Sequence, residues 1–205
     1  MFKDRVDAGQ QLALRLKAYA HEKNGVILGL ARGGVVVAST VANVLQVPFD
    51  IIVPRKIGAP QNRELALGAI AEGAVYLDEE IIRSLHVMET YIRDQIEIEK
   101  KIADERTKKY RSQREKLSLK DKIVILIDDG IATGSTMKAS ILAVKKQNPQ
   151  KIVVAVPVGP KETISQLEVD ECICLFTPDN FMAVGQFYRS FPQVEDQDVM
   201  SLCRR

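Results

Sequence analysis

Five short apolar-rich runs punctuate the chain: "VILGLA" (26–31), "FDIIVP" (49–54), 122–127, 151–158 and 171–176. Continuous rather than alternating apolarity marks strands buried on both faces. Between these runs, apolar positions recur every three or four residues. Residues 8–22 place Leu12, Leu16 and Tyr19 on one side of a helix that Asn24-Gly25 stops, and 35–46, 135–147 and 161–168 read as further helices. Residues 55–73 read as a loop with one short extended piece at 67–71, and the tail from Thr177 as irregular and rich in aromatics. Buried strands alternating with helices predict an α/β fold, a mostly parallel twisted sheet with helices on both faces. In such sheets ligands bind at the carboxyl ends of the strands.

One stretch breaks this rhythm. Residues 79–116 are charged, free of Gly and Pro, and carry Ile92, Ile96 and Ile102 on a narrow apolar stripe. The pattern predicts a helical insertion packed on the core or on a second subunit. A length of 205 residues suits a single domain, 1–205, that includes it. Its basic residues, among them Lys100, Lys101, Lys108, Lys109, Arg111 and Arg114, alternate with Glu97, Glu99, Asp104, Glu105 and Glu115, as on a solvated helix face. With a formal net charge of only +2, nothing points to nucleic acid or an anionic membrane as a partner. Cys172, Cys174 and Cys203 show no zinc-ligand spacing and read as free thiols of a reducing cytosol. The polar start "MFKDRVDAGQ" lacks a signal peptide's apolar stretch, and no apolar run is long enough to span a membrane. The expected location is the cytoplasm.

Candidate chemistry concentrates in "IVILIDDGIATGSTM" (123–137). A buried strand ends in Asp128-Asp129, two carboxylates able to accept hydrogen bonds from hydroxyls or to face a divalent cation. The loop Ala132, Thr133, Gly134, Ser135, Thr136 then offers backbone N–H groups and hydroxyls at the start of a helix, an anion site best suited to phosphate. Diol-binding carboxylates beside a phosphate cradle describe a pocket for a ribose 5-phosphate. Neither GxxxxGK[ST] nor GxGxxG is present. A phosphatase or kinase of another α/β type would need Asp128 as its phosphoryl nucleophile.

The segment from Val124 to Thr136 resembles the phosphoribosyl-pyrophosphate (PRPP) motif of type I phosphoribosyltransferases: four apolar residues, two acids, two apolar residues, then a small Thr/Gly-rich loop. The resemblance implies transfer of ribose 5-phosphate from PRPP to a nitrogen base with release of pyrophosphate. It places Asp128 and Asp129 at the ribose diol, the 132–136 loop on the 5-phosphate, and Mg²⁺ within reach of the two aspartates through substrate or water. "ARGG" (31–34) resembles the family's pyrophosphate loop, with Arg32, Gly33 and Gly34 as ligands and a non-proline cis peptide expected at Ala31–Arg32. Arg55 and Lys56 resemble the basic pair that contacts pyrophosphate in the adenine and orotate branches. "APQNREL" (59–65) takes the place of the mobile loop that excludes water, with Arg63 as its catalytic charge. The tail, 177–205, resembles the base-binding hood of the purine enzymes. Phe181 would stack on the base, Met182 and Val184 would form walls, and Lys161 would meet a purine carbonyl. A homodimer is implied as well.

The chain departs from the family at three points. Gly130 stands where a branched residue is usual, which points to a more flexible turn. Ala132 stands where the 6-oxopurine enzymes carry an aspartate and the adenine and orotate branches an alanine. The 79–116 insertion fits none of these branches and resembles a less defined bacterial group. The favoured acceptor is purine-like. The alternative is a non-catalytic PRPP-sensing regulator whose insertion helix contacts RNA or DNA.

Overall fold

The structure is a computed structural model describing residues 1–112 and 114–204. Gln113, within the expected insertion, and Arg205, at the end of the expected hood, lie outside the described residues.

Helix α1 (Arg5–Arg15) is capped by Asp4, whose carboxylate accepts hydrogen bonds from the N–H groups of Val6 and Asp7, each at 2.9 Å. The cap starts the helix earlier than apolar spacing suggested. After Arg15 the helix yields to a single 3₁₀ turn, Lys17–Tyr19, instead of running on to residue 22. β1 (Gly25–Leu30), α2 (Gly33–Leu45) and β2 (Phe49–Ile52) follow.

The reading of 55–73 as mostly loop is overturned. β3 (Arg55–Gly58), β4 (Ala66–Ala71) and β5 (Ala74–Leu77) form an antiparallel three-stranded sheet. β4 is the short extended piece expected at 67–71, and two features hid its partners. β4 is rich in small residues, Ala66, Gly68, Ala69 and Ala71, and Gly68 lies so close to β5 that a Cβ would overlap the Tyr76 carbonyl oxygen. The β4–β5 hairpin turns on Glu72-Gly73, with φ of 42° and 76°, where Asn-Gly is the usual signal.

The insertion is α3 (Glu79–Ser84) and α4 (Glu89–Arg111), parted near His86 at φ 50°. Ile92, Ala103 and Tyr110 are buried, while Ile96 and Ile102 are half-buried. Ile92 joins Ile57, Ala59 and Leu67 in a small core flanked by Ile81, Ile82 and Tyr91. The insertion therefore packs on its own chain, against the antiparallel sheet.

β6 (Ile123–Ile127), α5 (Ser135–Lys145), β7 (Lys151–Val158), α6 (Lys161–Ser165) and β8 (Glu171–Phe176) complete the alternation. The tail, read as irregular, contains a 3₁₀ turn, Val184–Phe187, and a helix, α7 (Asp196–Cys203). The main sheet is wholly parallel, in the order β2-β1-β6-β7-β8. Leu12 of α1, Leu16 just after it, and Val37 and Val41 of α2 cover one face over Ile27, Ile125 and Ile127. Met137, Ile141 and Val144 of α5 cover the other over Leu126, Val154 and Val156, joined there by Ala69, Ala71 and Ala74. The chain leaves β1 toward one edge of this sheet and returns to build the other half from β6, so the order reverses between β1 and β6. That is where an open α/β sheet parts its loops into a ligand crevice.

Candidate active site

The loops leaving β1 and β6 meet at this reversal. A Cβ on Gly34 would lie 2.7 Å from both Asp128 Cα and Oδ1 and 2.8 Å from the Ile127 carbonyl oxygen. One on Gly33 would overlap Asp129 Oδ2 and sit 2.8 Å from its Cγ. Glycine at both positions is what allows the head of α2 to rest on the two acids. The Ala31–Arg32 peptide bond is cis, at the position the resemblance indicated.

Asp128 Oδ1 accepts a hydrogen bond from the Asp129 N–H at 2.8 Å. Burial and the neighbouring Asp129 charge push the Asp128 carboxyl well above its ordinary range. Burial raises Asp129 too, against the opposing charge of Arg5. Arg5 Nε donates to Asp129 Oδ2 at 2.8 Å, Nη1 donates to the Pro192 carbonyl at 2.7 Å, and the guanidinium lies 3.7 Å from the centre of the Phe191 ring. The Tyr188 hydroxyl donates to the Asp129 carbonyl at 2.6 Å. Phe2 pairs with Tyr188, its N–H donating to the Phe187 carbonyl at 2.8 Å. The first residues and the tail thus close over Asp129 as one clasp.

Sequence reading missed Arg5, although a signal existed. Arg5, Ala8 and Leu12 lie on one buried face of α1, so extending the apolar stripe back one turn puts an arginine on it.

Gly134, at φ 78°, caps α5 in the left-handed region, where a Cβ would lie 2.8 Å from Thr163 Cγ2. Thr163 Oγ1 donates to the Ala132 carbonyl at 3.0 Å, so α6 braces the loop. Ser135 is buried, Thr136 half-buried, and Ala132 and Thr133 exposed. The Thr133 and Ser135 hydroxyls stand 3.3 Å apart. The N–H groups of the first turn precede the bond from Lys138 N–H to the Gly134 carbonyl, the end of a helix where donors await a partner.

The cations are differently placed. Arg32 faces Glu195 at 3.4 Å and Asp196 at 3.7 Å, Arg55 pairs with Glu99 of α4 at 2.7 Å, and Lys56 with Glu64 at 3.0 Å. Arg63 is exposed in the 59–65 loop. A cleft of about 400 Å³ runs between Arg32-Gly33 and the tail, with Arg5 and Phe191 in its wall.

Gly130 is not at positive φ, so turn flexibility is not its reason. A Cβ there would lie 2.5 Å from Val184 Cγ1 and 3.1 Å from Val158 Cγ1, so it makes room for the tail to seat Val184 on the sheet end. Phe181 stacks on Phe187, ring centroids 5.5 Å apart. Met182 is 91% exposed, and Lys161 is exposed at the head of α6.

The sequence profile of the family described as the phosphoribosyl transferase domain matches residues 2–191, from the clasp's Phe2 to the Phe191 ring under Arg5. The chain belongs to this family. The Mycobacterium tuberculosis protein Rv0571c, provisionally named a phosphoribosyl transferase, is 42% identical over 209 residues, covering 100% of this chain and 47% of its own length. The chain thus spans about half the length of the curated relatives it matches. TT1426 of Thermus thermophilus superposes with a TM-score of 0.81 at 38% identity, covering 98% of this chain and 97% of that one. The purine phosphoribosyltransferase of Pyrococcus horikoshii, at 22% identity and a TM-score of 0.51 over 93% and 92% of the two chains, shares the fold. In phosphoribosyl transferase terms, the acid pair, the glycine loop and the head of α5 come together here, while Met182 and Lys161 lie exposed.

Proposed function

We propose that the chain binds PRPP across the ends of β1 and β6 and transfers its ribose 5-phosphate to a nitrogen base, releasing pyrophosphate. The observation that carries this reading is the seating of Gly33-Gly34 on Asp128-Asp129, with the capped head of α5 directly after. Backbone donors for a pyrophosphate, carboxylates for a diol and a cradle for a phosphate then share one crevice. Loss of pyrophosphate leaves positive charge on the ribose ring, and Asp128 and Asp129 would hold the ring hydroxyls and face that charge. Arg32, Gly33 and Gly34, with Arg55 and Lys56, would take the pyrophosphate. Ala132 through Thr136 would hold the 5-phosphate, and Arg63 would close with its loop to keep water out.

Mg²⁺ would neutralise pyrophosphate charge. Among the described residues no group of three or more His, Cys, Asp or Glu is placed to hold a metal ion. Two carboxylates without a third suit an ion held mostly by substrate oxygens and water, which Asp128 and Asp129 would face indirectly.

Phe181 on Phe187 and Val184 on Gly130 place aromatic and apolar surface beside the motif, which supports a flat, purine-like acceptor. Exposure of Met182 and Lys161 supports the second reading, a PRPP sensor without transfer. Free Cys172, Cys174 and Cys203 accord with a cytoplasmic setting, and no described helix is long and apolar enough to cross a membrane. A homodimer is part of this proposal, and sedimentation tests it.

The deciding experiment is calorimetric titration with PRPP, with and without Mg²⁺, followed by pyrophosphate release on a panel of bases. Binding followed by release with one base supports transfer. Binding without release on any base supports sensing. Absence of binding to folded protein overturns both.

A further inference from the structure

We infer that Arg5 is a positioning residue for the ribose site, fixing the Asp129 carboxylate so that one oxygen of each aspartate is presented to the sugar diol. The inference rests on the PRPP reading above and goes beyond the motif residues.

Each carboxylate has one oxygen engaged by the chain. Asp128 Oδ1 takes the Asp129 N–H, and Asp129 Oδ2 takes Arg5 Nε. Among the described residues no hydrogen bond from outside the pair reaches the other two oxygens, Asp128 Oδ2 and Asp129 Oδ1, and no buried side-chain oxygen lacks a partner. The two remaining oxygens therefore meet only each other's carboxyl or open space, and neither is sealed away without a partner. Two fixed acceptors match the two hydroxyls of a cis-diol, one each.

Arg5 is itself held on three sides. It is only 8% exposed, bonded to Asp129 and to the Pro192 carbonyl, and stacked on Phe191. A Cβ on Gly33 would come 3.1 Å from Arg5 Nε, so Arg5, the glycine loop and Asp129 meet at one point. Without Arg5 the Asp129 side chain loses the partner that sets its rotation, and it stands beside the Asp128 charge with no countercharge in contact. Lysine supplies charge but a single donor point, not the fork that spans Asp129 and Pro192.

The test is PRPP titration in the presence of Mg²⁺ on the full chain, comparing wild type with Arg5→Lys, Arg5→Met, Asp129→Asn and the double variant Arg5→Met/Asp129→Asn, with thermal melting of each. Arg5→Met is expected to weaken PRPP binding on the order of 30-fold, the scale for removing one partner of a buried charge pair. Arg5→Lys should recover part of that loss. The double variant should bind no more weakly than Asp129→Asn alone, because Arg5 acts through Asp129. A purely structural Arg5 would lower the melting temperature and leave the folded protein's affinity unchanged, which overturns the inference. Independent, multiplying losses in the double variant overturn it too. If Arg5→Met does not fold, Arg5→Lys decides: weakened binding supports the role and wild-type affinity overturns it. A wild type that ignores PRPP removes the functional reading itself, before any variant is compared.

Discussion

The two stretches expected to grip one substrate are built in opposite ways. Around Asp128–Thr136 the backbone is packed to the limit: glycines touch carboxylates, Arg5 and Tyr188 hold Asp129, and α6 braces the phosphate loop. Around Arg55–Leu65 the polar and charged side chains are half-buried or exposed, and Arg55 and Lys56 face carboxylates of the chain itself, Glu99 and Glu64. The contrast teaches that the sugar half of the proposed site is prebuilt. The pyrophosphate half would have to exchange internal carboxylates for phosphate oxygens.

The harshest way to break the prebuilt half is Gly33→Ala, which drives a methyl group into Asp129. It should cost about 3 kcal/mol or more of stability, the upper range for overpacking, with a melting temperature lower by roughly 2–4 °C for each kcal/mol and PRPP binding lost together with it. Asp128→Asn should separate the two properties. PRPP affinity should fall about 100-fold, the scale of losing a hydrogen bond to a charged group, while the ligand-free protein melts at a higher temperature. The sign follows from burial. Asp128 holds its proton more tightly folded than unfolded, so its contribution to stability is full below the unfolded value of about 3.9 and is lost as pH rises through the raised one. Wild type and Asp128→Asn should therefore melt alike in strong acid and diverge toward neutral pH, the variant higher. A variant that melts lower at neutral pH would show the acid to be structural. Asp129→Asn is the less clean probe, because it strands buried Arg5 and should lower stability as well as binding.

The other half should respond more gently. Arg63→Gln should leave melting within about 0.5 kcal/mol of wild type, as exposed substitutions do, and slow pyrophosphate release without loosening PRPP in the resting complex. Glu99→Gln should have the smallest effect. Its pair with Arg55 is partly exposed, so stability should change by less than about 1 kcal/mol, while freed Arg55 binds inorganic pyrophosphate a few-fold tighter by calorimetry. Unchanged pyrophosphate affinity would remove the exchange of carboxylates from the picture.

How much of this was legible in the chain depended on where the determining contacts lie. β1, β6 and α5 announce themselves through local apolar runs, and the acid pair through its place between them. Of the β3–β5 sheet only β4 showed, as a short extended piece, because Gly68 and the Glu72-Gly73 turn are explained only by the neighbouring strand. Gly130 was legible as an oddity, but its reason, Val184, is supplied by a tail read as irregular. Met182 and Lys161 followed from the resemblance, and the fold leaves both at the surface. Arg5 required knowing that the start of the chain and residues 188–192 meet over Asp129, a contact no local pattern encodes.

That clasp also sets a timetable. Arg5 is made 187 residues before its partner Pro192. At about 5–20 residues per second, α1 waits roughly 10–40 s for the segment that completes its contacts. A nascent chain that stops short of Tyr188 can still assemble the parallel strands already made, but it lacks Tyr188, Phe191 and Pro192 to close over Asp129 and Arg5. The contacts around Arg5 and Asp129 are in this sense a late checkpoint, completed only when the whole stretch from Arg5 to Pro192 has been made.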